Sequence, residues 1–458
     1  MKEGIPMDEE FRKDFLELVR LMDEGKLQDF KKKAADCLPV DIAEGLEEIE
    51  EDARVIKLFR MLPKDISSDV FSYMNSDQQL LIAQSASNAE LKALVDDMFF
   101  DDTVDFLEEM PANVVKKVLQ NADENTRKLI NQFLNYPENS AGSLMTIEYV
   151  DLRDYFTVRK AMDYIRRTGI DKETVYTCYV IDEQRRLVGH VSLRKLIIAP
   201  ESTYIRDIMD TNIVSATTTD DQEIVAEDFR RYDLTSIAVT DKENRLVGII
   251  TIDDIVDVIQ DENTEDIKKM AAIIPSDEEY MDAGVFHLVA HRLPWLMIMM
   301  LSATLSSTII THFESILAGA VVLTAFIPML TGSAGNSGSQ TSVTIIRNMA
   351  LGEVELGDWI RVLWKEVRVA VVSGAALAAV NMGRMMIFSG TSLMISAVVS
   401  ITLLFAIVLA AAVGCLLPMG AKRLGLDPAV MASPMITTIV DAAALLLYFL
   451  IAGIMLGL

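Results

Sequence analysis

Asp441 is the one acid in the run TTIVDAAALLLYFLIAGIMLGL that closes the chain. A carboxylate at that depth in apolar sequence is costly and by default marks a functional site. Ser433, Thr437 and Asp441 stand at i, i+4 and i+8, so they share one helix face flanked by Leu, Ile, Val and Ala. A packing stripe of small polar residues explains Ser433 and Thr437 but not a carboxylate, so the face reads as a cation path. A second stretch, FIPMLTGSAGNSGSQTS at 326–342, breaks the apolar pattern with Pro, Gly and polar residues. Two readings stay open for it. Irregular backbone at membrane depth is tolerated inside protein or beside water, where the amides of Asn336 and Gln340 would serve a hydrated cation. Alternatively, small residues let two helices cross closely.

Other reactive types carry less. His287 and His291 stand at i, i+4, but no carboxylate or cysteine motif completes a zinc site, which favours a membrane-interface role. No GxSxG, P-loop, HExxH or Rossmann fingerprint is present, so neither catalysis nor ATP hydrolysis is expected. Cys37, Cys178 and Cys415 are far apart and odd in number, against a disulfide framework.

The elements that must position these residues fall into two compositions. The whole chain of 458 residues carries a net charge of −26. From Val285 to Leu458 there are 8 Lys+Arg and 7 Asp+Glu, whereas the residues before hold 34 and 61. An acidic soluble part therefore precedes a nearly neutral apolar part, and its charge repels nucleic acid. Apolar runs long enough to cross a bilayer predict five spans at about 286–310, 315–342, 360–388, 392–420 and 431–457. Arg292, Arg347, Arg361, Lys365, Arg368, Lys422 and Arg423 flank one side, and Arg384 alone dissents. That bias places the acidic part in the cytoplasm of a cell membrane and, with five spans, the C-terminus outside. The start, MKEGIPMDEEFRKDF, lacks the apolar region of a signal peptide.

The acidic part holds two kinds of repeat. Leu38-Pro39, Leu62-Pro63 and Met110-Pro111 are 24 and 48 residues apart, with the missing unit at Ala86-Ser87. This predicts a helical array, proline opening each helix. Residues 179–197 and 238–256 then align at an offset of 59, sharing R-L-V-G at Arg186–Gly189 and Arg245–Gly248. Each unit reads as strand, polar turn, strand, helix, with DLRDYFTVRKAMDYIRR and TTDDQEIVAEDFRR as amphipathic helices before them. The duplicated unit resembles a pair of CBS domains. Asp257, Asp261, Glu265 and Asp266 follow at helical spacing on the only covalent path to the apolar part.

The order of parts, with PMLTGSAGNSGSQ and DPAVMASPMITTIVDAAALLLYF, resembles the MgtE family of magnesium channels, which is related to a family of solute carriers. The resemblance covers nearly the whole chain. It implies a multidomain α plus α/β fold: an acidic helical-repeat N-terminal domain (1–136), tandem CBS domains (137–200 and 201–260), a connecting helix (261–284) and a five-helix transmembrane pore domain (285–458). It implies a homodimer in lipid with the ion path between the two fifth spans, where Asp441 matches the pore aspartate, Ser433 and Thr437 line it, and Asn336 falls in the Gly-Asn segment. It also implies that cytosolic Mg²⁺ is sensed by carboxylates and shuts the pore. The matching residues are Asp101 and Asp105, then Asp221, Glu223, Asp233 and Asp254, then Glu262, Glu265 and Asp266, and finally Asp427. ATP is a further implied regulator. Gly248, Thr251 and Asp254 fit the nucleotide pattern in the second CBS unit, while Lys195 replaces the acid in the first. A coupled Mg²⁺ carrier and a membrane-anchored nucleotide sensor are the rival readings.

Overall fold

The computed structural model describes residues 9–276, 280, 283–431 and 433–457. It divides into two compact units, 1–259 and 260–458.

The first unit begins with helices Glu9–Asp23 and Leu27–Ala35, then four helical hairpins. Their first helices start at Pro39, Lys64, Asn88 and Ala112, and their second at Asp52, Ser76, Phe100 and Glu124. Each repeat of about 24 residues is thus one pair of helices. Pro39 occupies the first helical turn, whereas Pro63 and Pro111 sit one place earlier as N-caps. The unit without proline uses a capping box instead. Ser87 Oγ accepts from Glu90 N at 3.2 Å, and Ser87 N donates to the Glu90 carboxylate at 2.7 Å. Both devices satisfy or remove N–H groups that a helix start leaves without partners. The array is held by buried Phe30, Phe71, Phe106 and Phe133, with Phe71 and Phe106 edge to face at 5.0 Å.

Two three-stranded sheets follow. Strands β1 (Asp151–Arg153), β2 (Thr177–Ile181) and β3 (Leu187–Ser192) form the first, and β4 (Ser215–Thr217), β5 (Ser236–Thr240) and β6 (Leu246–Thr251) the second. In each, the short first strand runs parallel to the middle strand, which pairs antiparallel with the third. The expected helix over DLRDYF is instead β1 and a turn, so helix Val158–Thr168 is shorter than the sequence suggests; helix Gln222–Tyr232 is its counterpart. Burial of Leu152 beneath the sheet settles this, because a lone apolar residue between polar neighbours fits a half-buried strand. The hairpin turns of the two repeats exchange hydrogen bonds, Leu187 N to Asn244 O at 3.0 Å and Leu246 N to Arg185 O at 3.1 Å. Arg185 and Asn244 adopt φ of 65° and 60°.

Helix Ile252–Met270, the connecting helix, leaves β6 without a break. The second unit adds five long helices: Val285–His312, Ile327–Ala350, Trp359–Arg384, Leu393–Arg423 and Ser433–Leu456. Among the described residues, four segments containing all of these helices but Ile327–Ala350 are long and apolar enough to cross a membrane. The second span therefore starts later than expected. Residues 314–326 form a short helix, Glu314–Gly319, and a tight 3₁₀ segment, Val321–Phe326, before Pro328 opens the 24-residue glycine-rich helix.

The backbone of that helix is regular throughout. Several of its polar side chains bond back to its own carbonyls, as Thr331 Oγ1 does to Ile327 O at 3.1 Å, Thr344 Oγ1 to Gln340 O at 2.8 Å and Asn348 Nδ2 to Thr344 O at 2.6 Å. In apolar surroundings the helix is the cheapest way to satisfy a backbone. The glycines serve contact instead. A Cβ on Gly414 would lie 2.3 Å from Gly338 O, and one on Gly338 would meet Ile436 at 2.8 Å and Ala410 O at 3.3 Å. Of the two open readings, close helix crossing describes this stretch.

Candidate cation sites

The last helix carries Asp441, half-buried, eight residues after its first residue, Ser433. The side chain of Ser433 lies outside the described residues. Gly335 brings the glycine-rich helix against this face, because a Cβ there would stand 3.2 Å from Thr437 Cγ2 and 3.7 Å from Asp441 Oδ1. Thr437 turns its hydroxyl back to Pro434 O at 3.0 Å, leaving its methyl toward Gly335. Asn336 and Gln340, one turn apart, are exposed on the single chain rather than packed on this face. The sequence reading missed Glu366. It lies within Trp359–Arg384, half-buried, and accepts from Thr341 Oγ1 at 3.3 Å. Neighbouring Lys365 and Arg368 make it look like a water-facing helix end, and no signal in the sequence alone separates those cases.

In the first unit, acids from three separate segments converge. Helix Phe100–Glu109 presents Asp101, Asp102 and Asp105; the loop before β2 presents Glu173; the first turn of the connecting helix presents Asp253 and Asp254. Burial, then Asp102, Asp254 and Glu173, push the Asp101 carboxyl up to about 8. Burial, then Asp253 and Asp254, raise Glu173 to about 7, and burial, then Asp253, raises Asp254 to about 6. Asp105 stands exposed at the edge of this cluster, where water screens it. One Asp101 oxygen is buried with no hydrogen-bond partner. The charged neighbours that shift these groups are acids, so the cluster needs protons or a cation. Among the described residues no three metal-binding side chains stand together as a ready-made cage. The donor set fits Mg²⁺ nonetheless, which keeps its waters and takes one or two carboxylates.

Of these, the sequence reading named Asp101, Asp105 and Asp254. It missed Glu173, Asp102 and Asp253. The first helices and strands of the two CBS repeats are offset by 64 residues, but their later strands by 59. The extra five residues of the first repeat lie in 169–176, and Glu173 is among them. An alignment carries that signal, in a gap rather than a match.

The connecting helix meets the head of the last helix within the second unit. Lys269 Nζ lies 2.6 Å from Glu265 Oε1 and 2.7 Å from Asp427 Oδ2. Asp427 Oδ1 accepts from Ala429 N at 2.8 Å, capping the turn Pro428–Met431. Burial and then Asp427 raise the neighbouring Asp266. Glu262 is half-buried one turn earlier on the same helix.

The remaining acids named from the sequence are not gathered. Asp221 caps helix Gln222–Tyr232 by accepting from Glu223 N at 2.9 Å, and Asp233 ends it at φ 50°. The two ends are about 18 Å apart, beyond the reach of one ion. Of the nucleotide residues, Gly248 and Thr251 lie on β6 and Asp254 in the first turn of the connecting helix. A Cβ on Gly248 would lie 2.6 Å from Met145 Sδ, and Asp254 accepts from Thr251 Oγ1 at 3.1 Å among the acids. An open cavity of about 600 Å³ lies on the first repeat, lined by Tyr176, Ser192, Arg194, Ile197 and Ile198, with Thr235 from the second. His287 and His291 stack at 4.3 Å, and the His291 Nδ1–H donates to Ile274 O at 2.9 Å, a structural tie.

Apolar helices that carry the half-buried carboxylate of Asp441, with an acidic unit before them, define a cation-handling membrane protein. Residues 327–451 match the model of a divalent cation transporter family, MgtE, residues 38–139 the MgtE intracellular N domain, and residues 205–261 the CBS domain. The chain is 34% identical to the magnesium transporter MgtE of Thermus thermophilus over 96% of this chain and 98% of that one. It is 31% identical to the magnesium transporter MgtE of Bacillus subtilis over 95% and 96%. A crystal structure of the cytosolic domain of the Mg²⁺ channel MgtE in complex with ATP covers 53% of this chain and 99% of its own, at 32% identity and a TM-score of 0.51. This chain belongs to the MgtE family of magnesium transporters.

Proposed function

We propose that the chain is a Mg²⁺ channel admitting magnesium to the cytoplasm and shut by cytosolic Mg²⁺. Two copies would place two Asp441 carboxylates about one axis, enough charge to draw a dication that retains its water. The observation that carries the gating is the convergence of Asp101, Asp102, Glu173 and Asp254 from three segments, with acids as the neighbours that shift them. When Mg²⁺ is scarce these acids repel. When it is plentiful the ion bridges them and stabilises the compact arrangement, which shifts the equilibrium by its differential affinity. The acidic part is cytoplasmic and the C-terminus outside, on the distribution of Lys and Arg. ATP is a regulator suited to the cavity with Tyr176 and Arg194, supported by the relative crystallised with ATP.

Reconstituted protein tests this directly. Mg²⁺ flux into proteoliposomes should fall as Mg²⁺ on the cytoplasmic face rises from micromolar to millimolar. Flux indifferent to that Mg²⁺ rejects the gating, and no flux at all rejects the channel. One observation favours a coupled carrier: Glu366 is a second half-buried carboxylate in the apolar helices. A flux that requires a Na⁺ or H⁺ gradient would decide for that reading.

A further inference from the structure

Adjacent lysines near the end of the connecting helix have different partners. Lys268 Nζ donates to Ser276 O at 2.6 Å, within the segment that follows the helix. Lys269 turns the other way, onto Glu265 and Asp427. A Glu–Lys pair at i, i+4 is ordinary and worth a few tenths of a kcal/mol. Asp427 is not ordinary, because it is remote in sequence and stands at the head of the helix that carries Asp441. Its two oxygens do two things: Oδ1 caps the turn at Ala429, while Oδ2 takes the ammonium. The Lys269 side chain is only 23% exposed, so its charge is held rather than waving in solvent. Arg347 adds a second tie, donating to Asn263 Oδ1 at 3.3 Å from the far end of the glycine-rich helix.

We infer that Lys269 is a built-in substitute for a divalent cation, its ammonium holding the connecting helix to the head of the last helix in the absence of metal. An ammonium between two carboxylates does the electrostatic work of a bridging ion, but it is covalently attached and always present. It therefore sets how far this junction can loosen when Mg²⁺ falls. The inference takes from the proposed gating only the identity of the dication that can replace the ammonium. Lys269 is a positioning residue and touches no transported ion.

The test uses the full chain in nanodiscs, digested by a glutamate-specific endopeptidase, which has sites at Glu262 and Glu265 in the connecting helix and none that changing a lysine removes. Lys269→Gln should be cut in the connecting helix about threefold to tenfold faster than wild type in EDTA, the scale of two partly screened ion pairs. Millimolar Mg²⁺ should return it to the wild-type rate, and Lys269→Arg should stay at the wild-type rate throughout. Unchanged cleavage of Lys269→Gln in EDTA overturns the inference. Faster cleavage that Mg²⁺ does not reverse also overturns it, because the side chain would then be packing and not a cation. The gating proposal fails separately: wild type would be cut alike with and without Mg²⁺ while Lys269→Gln is still rescued.

Discussion

Two clusters of carboxylates, one in each unit, differ in a single respect. Asp101, Asp102, Glu173 and Asp254 are gathered with acids as the charged neighbours that shift them, and all four are pushed upward. Glu265 and Asp427 are gathered around the Lys269 ammonium at 2.6 and 2.7 Å. The first cluster must draw its countercharge from solution, as protons or as metal. The second carries its own. Dependence on solution cations should therefore concentrate in the first, and the contrast shows that a count of acids says little about sensing until the local cations are located.

The largest expected effect separates both clusters from the ion path. Asp441→Asn should cut Mg²⁺ flux by roughly tenfold or more, since losing a charged partner is worth about 1.5–3 kcal/mol. Flux at the wild-type rate from a folded Asp441→Asn protein would mean that the deep carboxylate is not on the path.

Next in size is neutralisation of the first cluster. Asp101→Asn with Glu173→Gln should stabilise the metal-free protein, raising its Tm in EDTA at pH 8 by about 3–6 °C for one to two kcal/mol of relieved repulsion. It should also blunt the Mg²⁺ dependence of flux, giving more transport than wild type at high Mg²⁺, where the bridge is lost. A normal Mg²⁺ response would reduce the cluster to a solvated acidic face.

The protons make the same point through pH. Folded carboxyls raised to between about 6 and 8 bind more protons than the unfolded chain does above about pH 4. Their contribution is therefore fully present at acid pH and is lost as pH rises through 6 to 8. Metal-free protein should melt lower at pH 8 than at pH 6, and Mg²⁺ should narrow the gap. A melting temperature that rises from pH 6 to pH 8 in EDTA would refute the shared upward shift.

The smallest effect belongs to Glu265. It is half-buried and only one of two anions on Lys269, so Glu265→Gln should cost under about 1 kcal/mol in melting of the full chain. A larger loss would show that the triad acts as one unit, which a double-mutant cycle with Asp427→Asn would measure.

Much of the fold was legible because it repeats. The 24-residue spacing of helix starts survived the replacement of proline by the Ser87–Glu90 box, since both treat the same orphan N–H groups. The second span was misplaced because hydropathy averages over 315–326, where the chain makes two short turns of helix before Pro328. Residue types left the glycine-rich stretch open between irregular backbone and a close helix crossing, because they report intrinsic propensity. Its neighbours Gly414, Ile436 and Ala410, all distant in sequence, reward close approach and keep it helical.

The sequence by itself determined the split between an acidic soluble part and an apolar part, the two internal repeats, and the lone deep Asp441. These follow from composition and periodicity, which are properties of neighbouring residues. Only the tertiary structure decided which acids are crowded and which are neutralised. Glu173 reaches Asp101 and Asp254 through a five-residue excess in one loop, and Lys269 reaches Asp427 across the second unit. Charge acts through space over a few ångströms, and distance along the chain does not report that distance until the chain is folded.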